Sequence, residues 1–250
     1  MPALIILLAL VFLPLPIFAV GLNDTGIPFC SDDSTNTANC ATVSADGGTQ
    51  PRQDARYGRD AAAVAGKLPK VGAGEGGFDF TVLDASGQPT TPTSGVTPHP
   101  CVRDNVSGLI WEVKTDDGGL RDQDWTYTWY DSVHNYSGNA GTASGTSNCQ
   151  TEGRCDTEKY VADVNATALC GYTDWRMPSL KALQDIVHLG SAGPAIDPTY
   201  FPNTGGGHFW SGSPYAYSSS FAWYVGFSYG SVYYSFRYDD GSVRLVRGGQ

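Results

Sequence analysis

Apolar and polar residues are distributed unevenly along the chain. Residues 1–19 are almost wholly apolar and uncharged, whereas residues 20–74 are rich in Thr, Asn, Asp, Gly and Ala and show no hydrophobic period. The first pattern is typical of a secretory signal peptide, and the second cannot supply a packed core. We predict a signal peptide over 1–19, with an uncleaved anchor as the alternative, a polar, loosely structured head region over 20–74, and a folded domain over 75–250.

Alternation of apolar and polar residues predicts strands at both ends of that domain. The first strands are expected at residues 78–83 and 108–113, the latter with Leu109, Trp111 and Val113 on one face. Further strands are predicted at 209–210, 222–227, 232–236 and 243–246, where Gly-containing turns separate β-branched and aromatic residues.

Two helices are predicted between these groups of strands. Asp156 is placed to cap a helix over residues 157–170 with an apolar stripe that includes Ala168, and Gly171 ends it. Ser179 caps a second helix, which Gly190 ends. Strands at both ends with helices between them indicate an α+β domain with antiparallel sheets, whose terminal strands pair.

Charge and composition narrow the range of functions. The net charge is −10, and the 15 basic residues are scattered along the chain, so nucleic acid is not an expected partner. The sequence contains no Gly-x-Ser-x-Gly, His-Glu-x-x-His or phosphate-loop motif, so we expect no enzymatic activity. Four tryptophans are expected to belong to the core or scaffold: Trp111, Trp175, Trp210 and Trp223.

Six cysteines in an exported chain suggest up to three disulfides. Fifteen connectivities are open for six cysteines. The short spacings favour Cys30–Cys40 and Cys149–Cys155, which leaves Cys101–Cys170 to join distant elements. A zinc site is the weaker alternative, because there is no Cys-x-x-Cys and the four histidines lie at no ligand spacing.

One acidic loop is a candidate Ca²⁺ site. It carries Asp116, Asp117, Asp122 and Asp124, but their spacing fits no EF-hand loop. A solvated acidic loop is therefore favoured, and no cofactor is predicted.

Several ordered motifs resemble the C-terminal domain of the Legionella collagen-like adhesin family. They are GLIWEVK at 108–114, GYTDWRMPS at 171–179, AIDP at 195–198, YFPNT at 200–204, FWS at 209–211 and VRLVR at 243–247. The resemblance covers roughly residues 75–250. It implies a C-type-lectin-like fold of the branch shared with formylglycine-generating enzymes. It also implies an exported bacterial protein, secreted, periplasmic or on the cell surface, that binds a ligand. The Glu-Pro-Asn, Gln-Pro-Asp and Trp-Asn-Asp motifs of calcium-dependent sugar-binding lectins are missing.

The tail has a narrower resemblance, to the variable proteins of diversity-generating retroelements. Residues 213–242 hold 7 of the 14 tyrosines and 8 serines, and they lack Lys, Glu, Gln and Met. In such systems, error-prone copying at template adenines converts Asn codons to Tyr, Ser, Asp, Gly, Phe and others, but never to Lys, Glu, Gln, Met or Trp. The resemblance thus implies a diversified C-terminal face over 213–242.

The candidate ligand-binding positions share these substitutable residue types. Tyr with Ser and Gly is also the composition of antibody paratopes, which suits a variable protein or cell-surface ligand, with glycans as a further class. The candidates are Tyr215, Tyr217, Ser218, Ser220, Phe221, Tyr224, Gly226, Ser228, Tyr229, Ser231, Tyr233, Tyr234, Ser235, Phe236, Tyr238, Asp239 and Asp240. Within residues 222–227, the candidate positions are expected to lie on an outer face and to alternate along the strand with framework residues.

Three alternatives remain open at the level of sequence. The first is an adhesin of the same fold with an inherited site for sulfated glycans or host molecules, aided by a basic patch at Arg237, Arg244 and Arg247. The second is a structural subunit of an envelope assembly, which would contact the membrane only through an uncleaved N-terminal segment. The third is a Tyr/Ser-rich surface without a dedicated ligand.

Overall fold

The computed structural model describes residues 23–31, 35–37, 40, 53–134, 138–145 and 148–248. The predicted signal peptide over 1–19 lies outside the described residues. Among the residues that are described, no helix is both long enough and apolar enough to cross a membrane.

The central sheet joins the beginning and the end of the predicted domain. Its strands β3 (Phe80–Leu83), β4 (Cys101–Asp104), β5 (Ile110–Glu112) and β9 (Val246–Arg247) pair antiparallel in the order β3-β4-β5-β9. One row of paired residues, Val82, Val102, Trp111 and Val246, crosses all four strands. The predicted pairing of the terminal strands is therefore confirmed.

Both faces of this sheet are buried. Leu109, Trp111 and Val113 belong to one core cluster, whereas Ile110 belongs to a second cluster on the opposite face. The predicted common face of the first three residues is confirmed. Successive side chains of a strand point to opposite faces of the sheet. Both faces of this sheet carry apolar side chains, and each face packs against its own core cluster.

Both predicted helices form, and both end early. Helix α3 (Thr157–Ala166) is capped by Asp156, whose carboxylate accepts from the Lys159 N–H at 2.9 Å. The predicted end at residue 170 is wrong: Ala168 and Cys170 have φ of 50° and 52°, and a 3-10 turn covers Leu169–Gly171. Left-handed residues cannot continue an α-helix. Ala168 is consequently exposed rather than part of an apolar stripe.

The second helix, α4 (Leu180–Gln184), is capped by Ser179, whose hydroxyl accepts from the Ala182 N–H. It ends six residues before Gly190. Ile186 and Val187 are buried in the core as predicted, but they lie in the turn that follows the helix.

Three disulfides link the pairs favoured by spacing: Cys30–Cys40, Cys101–Cys170 and Cys149–Cys155. The second one ties strand β4 to the left-handed turn after α3. Such cross-links stabilise small domains by about 2–4 kcal/mol. No described cysteine is free, so the zinc alternative is wrong.

The tail folds into a second antiparallel sheet. Strands β6 (His208–Pro214), β7 (Phe221–Gly226) and β8 (Ser231–Phe236) lie in the order β6-β7-β8, which leaves β8 at an edge. The predicted strand at 243–246 is mostly wrong, because only Val246 enters a ladder. Val243 and Leu245 are nevertheless buried.

The head region is more ordered than predicted where it is described. Strands β1 (Cys30–Ser31) and β2 (Asn36–Thr37) pair, and helices α1 (Asp54–Tyr57) and α2 (Arg59–Val64) follow. The amide of Gln53 bonds to both backbone groups of Ser31 at 2.6 Å. Polar contacts rather than a buried apolar face stabilise this region. The sequence therefore shows no hydrophobic period there.

Candidate binding surface

The β7–β8 hairpin presents a continuous group of aromatic rings. We define the aromatic cluster as Tyr215, Tyr217, Phe221, Trp223, Tyr234, Phe236 and Tyr238. Cross-strand pairing places Phe221 opposite Phe236 and Trp223 opposite Tyr234 on one face. Side chains that are directly opposite on antiparallel strands lie about 4.5–5.5 Å apart at Cβ, which brings large rings into contact. Six of the seven rings are candidate positions from the sequence.

Ring contacts give the cluster a defined shape. Tyr234 stacks on Tyr215 with centroids 4.1 Å apart, and its ring also meets Phe221 edge-on at 5.3 Å. Phe236 contacts Phe221 at 4.2 Å and stacks on Tyr238 at 4.9 Å. Aromatic pairs of this kind contribute about 0.5–1.5 kcal/mol each beyond area burial. The rings are thus positioned before any ligand binds.

The outer members of the cluster face solvent. Tyr217 is 91% exposed and Tyr238 is 60% exposed, while Tyr215 and Tyr234 are half-buried beneath them. Trp223 is also half-buried within the cluster, so of the two predicted places, core or scaffold, it does not lie in the core. An exposed apolar group of this kind typically marks an interaction site.

The opposite face of the hairpin belongs partly to the core. Tyr224 contacts the His208 ring at 4.7 Å and the Trp210 ring at 6.2 Å, and burial raises the pKa of its hydroxyl. The predicted outer face at 222–227 is therefore wrong: Tyr224 packs beside buried Ala222 over Trp210, and Val225 and Phe227 on the other face are buried as well. Its cross-strand partner Tyr233 is 58% exposed.

Gly226 is the one candidate position that is buried. It lies opposite Ser231, and a Cβ added to it would approach the Ser231 Oγ to 3.0 Å. A larger side chain there would have to move the Ser231 hydroxyl, and as a buried position Gly226 does not belong to the accessible surface.

The remaining candidates lie at the turns around the hairpin. Tyr229 is 78% exposed at the β7–β8 turn, beside exposed Ser231 and half-buried Ser228, whose hydroxyl bonds the Gly206 carbonyl. At the far end, Asp239 accepts from the Ser235 hydroxyl and from the Phe236 N–H at 3.2 Å. Ser218 is half-buried, and Ser220 and Asp240 are exposed. The candidates are thus continuous around β7 and β8.

The predicted basic patch does not form. Arg237 and Arg244 are buried, and Arg247 bonds the Asp174 carboxylate at 2.8 Å and 3.0 Å. Burial lowers the pKa of Arg244 to about 10, and its guanidinium donates to the Glu112 carbonyl and the Thr204 hydroxyl. These arginines fix the tail to the domain instead of offering charge to a polyanion.

A pocket of about 420 Å³ lies next to strand β6. Trp129, Val161, Met177 and Gly212 contribute to its wall, and Glu158 adds a carboxylate. Sequence reasoning missed it, because its residues come from segments far apart in the chain and no spacing connects them.

A family model described as the Lcl C-terminal domain matches residues 100–247. The chain belongs to this family. The match confirms the resemblance to the Legionella collagen-like adhesin domain and indicates a surface adhesin-like domain. No curated protein and no solved structure shows a significant match to the chain.

The match starts at residue 100, after β3, although β3 is an integral strand of the central sheet. It spans the whole aromatic cluster. Two motifs from the sequence, GLIWEVK and VRLVR, meet in the buried core of this domain. In GLIWEVK, Glu112 is fully buried and accepts from the Tyr160 hydroxyl, from Lys114 Nζ at 3.3 Å and from the Leu245 N–H at 2.8 Å. Leu245 belongs to the closing VRLVR motif. A buried carboxylate with several donors thus links two motifs that are far apart in sequence and holds the chain that leaves the hairpin.

The acidic loop of this domain has a local structural role. Asp116, Asp122 and Asp124 bring one carboxylate oxygen each within 4.8 Å of one another, but Asp116 and Asp124 are exposed. Both oxygens of Asp122 accept backbone N–H groups, from Gly118 at 2.6 Å and from Asp124 at 2.9 Å. Asp117 bonds within its own turn. These contacts shape the loop around Asp122, which is buried rather than solvated.

Proposed function

We propose that the protein is an exported, non-catalytic binding protein whose ligand contacts the aromatic cluster and the exposed turn residues around it. We further propose that residues 213–242 are diversified by a retroelement and that the Lcl C-terminal domain has a C-type-lectin-like fold. Three disulfides are typical of proteins from oxidising compartments, which supports export to the periplasm, the cell surface or the medium.

One observation carries this proposal: within residues 213–242, all but one of the buried positions are framework residues rather than candidates. The candidates are exposed or half-buried, with Gly226 as the exception. Four framework residues between them, Ala222, Val225, Phe227 and Arg237, are buried. A diversified protein needs this division, since exposed substitutions usually change stability by no more than about 0.5 kcal/mol and buried ones cost far more.

The surface chemistry also suits a binding role. Tyrosine combines a large apolar area with a hydroxyl at a low cost in side-chain entropy, and serine adds adaptable hydrogen bonds. The stacked pair Tyr215–Tyr234 orders the centre of the surface, while Tyr217 and Tyr238 extend from its edges. Partial ordering before binding reduces the entropy lost when a ligand is bound.

The decisive experiment is to sequence the DNA that flanks the gene. We expect an imperfect copy of the 3′ end of the gene beside a reverse-transcriptase gene. Mismatches should fall at adenines of that copy and should encode the candidate positions. Absence of such a copy, or mismatches at the codons of buried residues such as Val225 and Phe227, would refute diversification.

An adhesin with inherited specificity is the second candidate. The pocket of about 420 Å³ favours it, because its walls lie outside residues 213–242 and would not vary. A glycan array probed with the wild type and with Val161→Trp, which narrows the pocket, tests this function. Signals that Val161→Trp abolishes would support a pocket ligand, whereas signals that depend on Tyr217 and Tyr238 would assign binding to the aromatic cluster.

A further inference from the structure

Three carboxylates from the head region converge at one point. Asp24 precedes the first described strand, Asp54 begins α1 and Asp60 lies in the first turn of α2. One oxygen from each lies within 4.8 Å of the others. This cluster is separate from the aromatic cluster and from the part of the chain that the family match covers.

The cluster is buried and incompletely bonded. Asp60 is fully buried and Asp24 is 7% exposed, and the Oδ2 atoms of both are buried without a hydrogen-bond partner. Their Oδ1 atoms do have donors, from the Gly77 N–H at 2.7 Å and the Thr25 N–H at 2.8 Å. Two buried carboxylate oxygens without a donor lie close together here, and a bound cation would satisfy both of them.

None of the basic side chains that the structure describes pairs with these carboxylates. Among the described residues, no Lys or Arg nitrogen lies within 4.0 Å of Asp24, Asp54 or Asp60. Buried charges without a counter-charge are costly, so this arrangement calls for a cation.

The surrounding backbone makes room for the carboxylates at three glycines. A Cβ on Gly77 would lie 1.5 Å from Asp24 Oδ2, one on Gly76 would lie 2.0 Å from Asp60 Oδ1, and one on Gly58 would lie 2.2 Å from Asp54 Oδ1. Gly76 also has a φ of 54°, which favours glycine. Any side chain at these positions would collide with the cluster, so the sequence around it is fitted to closely approaching carboxylates.

We propose that Asp24, Asp54 and Asp60 form a Ca²⁺ site that joins the head region to the folded domain. Calcium takes oxygen ligands at about 2.3–2.6 Å, and two ligands across such an ion are separated by about 5 Å, which accommodates the observed spacing of the carboxylate oxygens. Water completes the usual six to eight ligands. Bound Ca²⁺ would hold the N-terminal segment and both head helices against Gly76–Gly77, directly before β3.

Thermal unfolding of the full chain tests the site. After chelator treatment, Ca²⁺ is added from about 10⁻⁵ to 10⁻² M, which spans the affinities of extracellular calcium modules. We expect the melting temperature to rise with Ca²⁺ and calorimetric titration to give one ion per chain. Asp60→Asn and Asp54→Asn should each remove the Ca²⁺-dependent rise, and Asn at residue 60 can still accept from the Gly77 N–H.

A matched control comes from the exposed acidic loop. Asp124→Asn removes a carboxylate from the other group of three aspartates and should leave the Ca²⁺-dependent rise unchanged. The proposal is overturned if wild type shows no rise, if Asp60→Asn and Asp54→Asn keep it, or if Asp124→Asn abolishes it. Asp54 is only half-buried, so its variant keeps the test valid if Asp60→Asn does not fold.

Discussion

The guanidinium of Arg237 lies 4.1 Å from the centroid of the Trp129 ring. The same group donates to the Phe221 carbonyl at 3.2 Å and to the Asn139 carbonyl, and the residue is only 3% exposed. One buried cation thereby joins the end of β8 to the start of β7 and to the wall of the pocket. The aromatic cluster is positioned by this junction as well as by its own ring contacts.

Arg237→Met should lower the free energy of unfolding by about 2–3 kcal/mol, because two carbonyls lose a charged donor in a buried place. Chemical denaturation monitored by tryptophan fluorescence measures the change. Arg247→Met is the matched control: its partner Asp174 is exposed, so its removal should cost less than about 1 kcal/mol. Equal losses for the two variants would contradict the junction assigned to Arg237.

Replacing exposed tyrosines should leave the fold unchanged. Tyr217→Ser, Tyr229→Ser and Tyr238→Ser should each change the free energy of unfolding by less than about 0.5 kcal/mol. Tyr224→Ser should cost about 2 kcal/mol, since its ring packs on His208 and Trp210. Differential scanning calorimetry of the four variants separates the two groups. A large loss at Tyr217 or Tyr238 would remove those residues from the proposed binding surface.

Heparin, a sulfated polyanion, should not bind the protein. Arg237 and Arg244 are buried, Arg247 is paired with Asp174, and the net charge is −10. The protein should therefore pass through immobilised heparin at about 0.15 M salt, where charges more than about 8 Å apart are largely screened. Retention that is lost on Arg247→Met would show that a basic site exists after all.

Asp185 should make stability depend on pH. Burial raises the pKa of its carboxyl to about 6, with a further rise from the charge of Asp104, whereas Lys181 opposes this rise. The folded protein thus holds this proton more tightly than the unfolded chain does. Its contribution to stability is complete below pH 4 and is lost as the pH rises to about 6.

Asp185→Asn removes the loss of stability that the ionisation of Asp185 causes as the pH rises. The variant should exceed wild type by about 1 kcal/mol at pH 7.5, and the gain should be much smaller at pH 4.5. Urea unfolding at the two pH values measures both differences. A gain that is equal at pH 4.5 and pH 7.5 would show that the effect does not come from the charge of Asp185.

Most of the secondary structure could be predicted from local sequence. Alternation at Leu109, Trp111 and Val113 identified a strand and its face, and Asp156 and Ser179 marked the starts of both main helices. These features depend on neighbouring residues in the chain. The ends of the helices were misjudged, because tertiary contacts such as the Cys101–Cys170 disulfide determine where the chain turns.

The candidate site was only partly accessible to sequence reasoning. The residue types of the tail indicated that it forms a surface. Tyr224 and Gly226 were included in that surface because the sequence does not show the contacts that cover them. The three aspartates of the head region were missed, since 36 residues separate the first from the last and no spacing rule connects them.

The sequence by itself determined the order of strands and helices, the family, the pairing favoured for the cysteines and the Tyr/Ser character of the tail. Each of these follows from local periodicity, motif order or composition. Tertiary structure alone decided which tyrosines are exposed, that Arg237 and Arg244 are buried, and that Asp24, Asp54 and Asp60 meet. Burial and convergence depend on how distant segments pack, and packing combines contributions from many residues that no local pattern records.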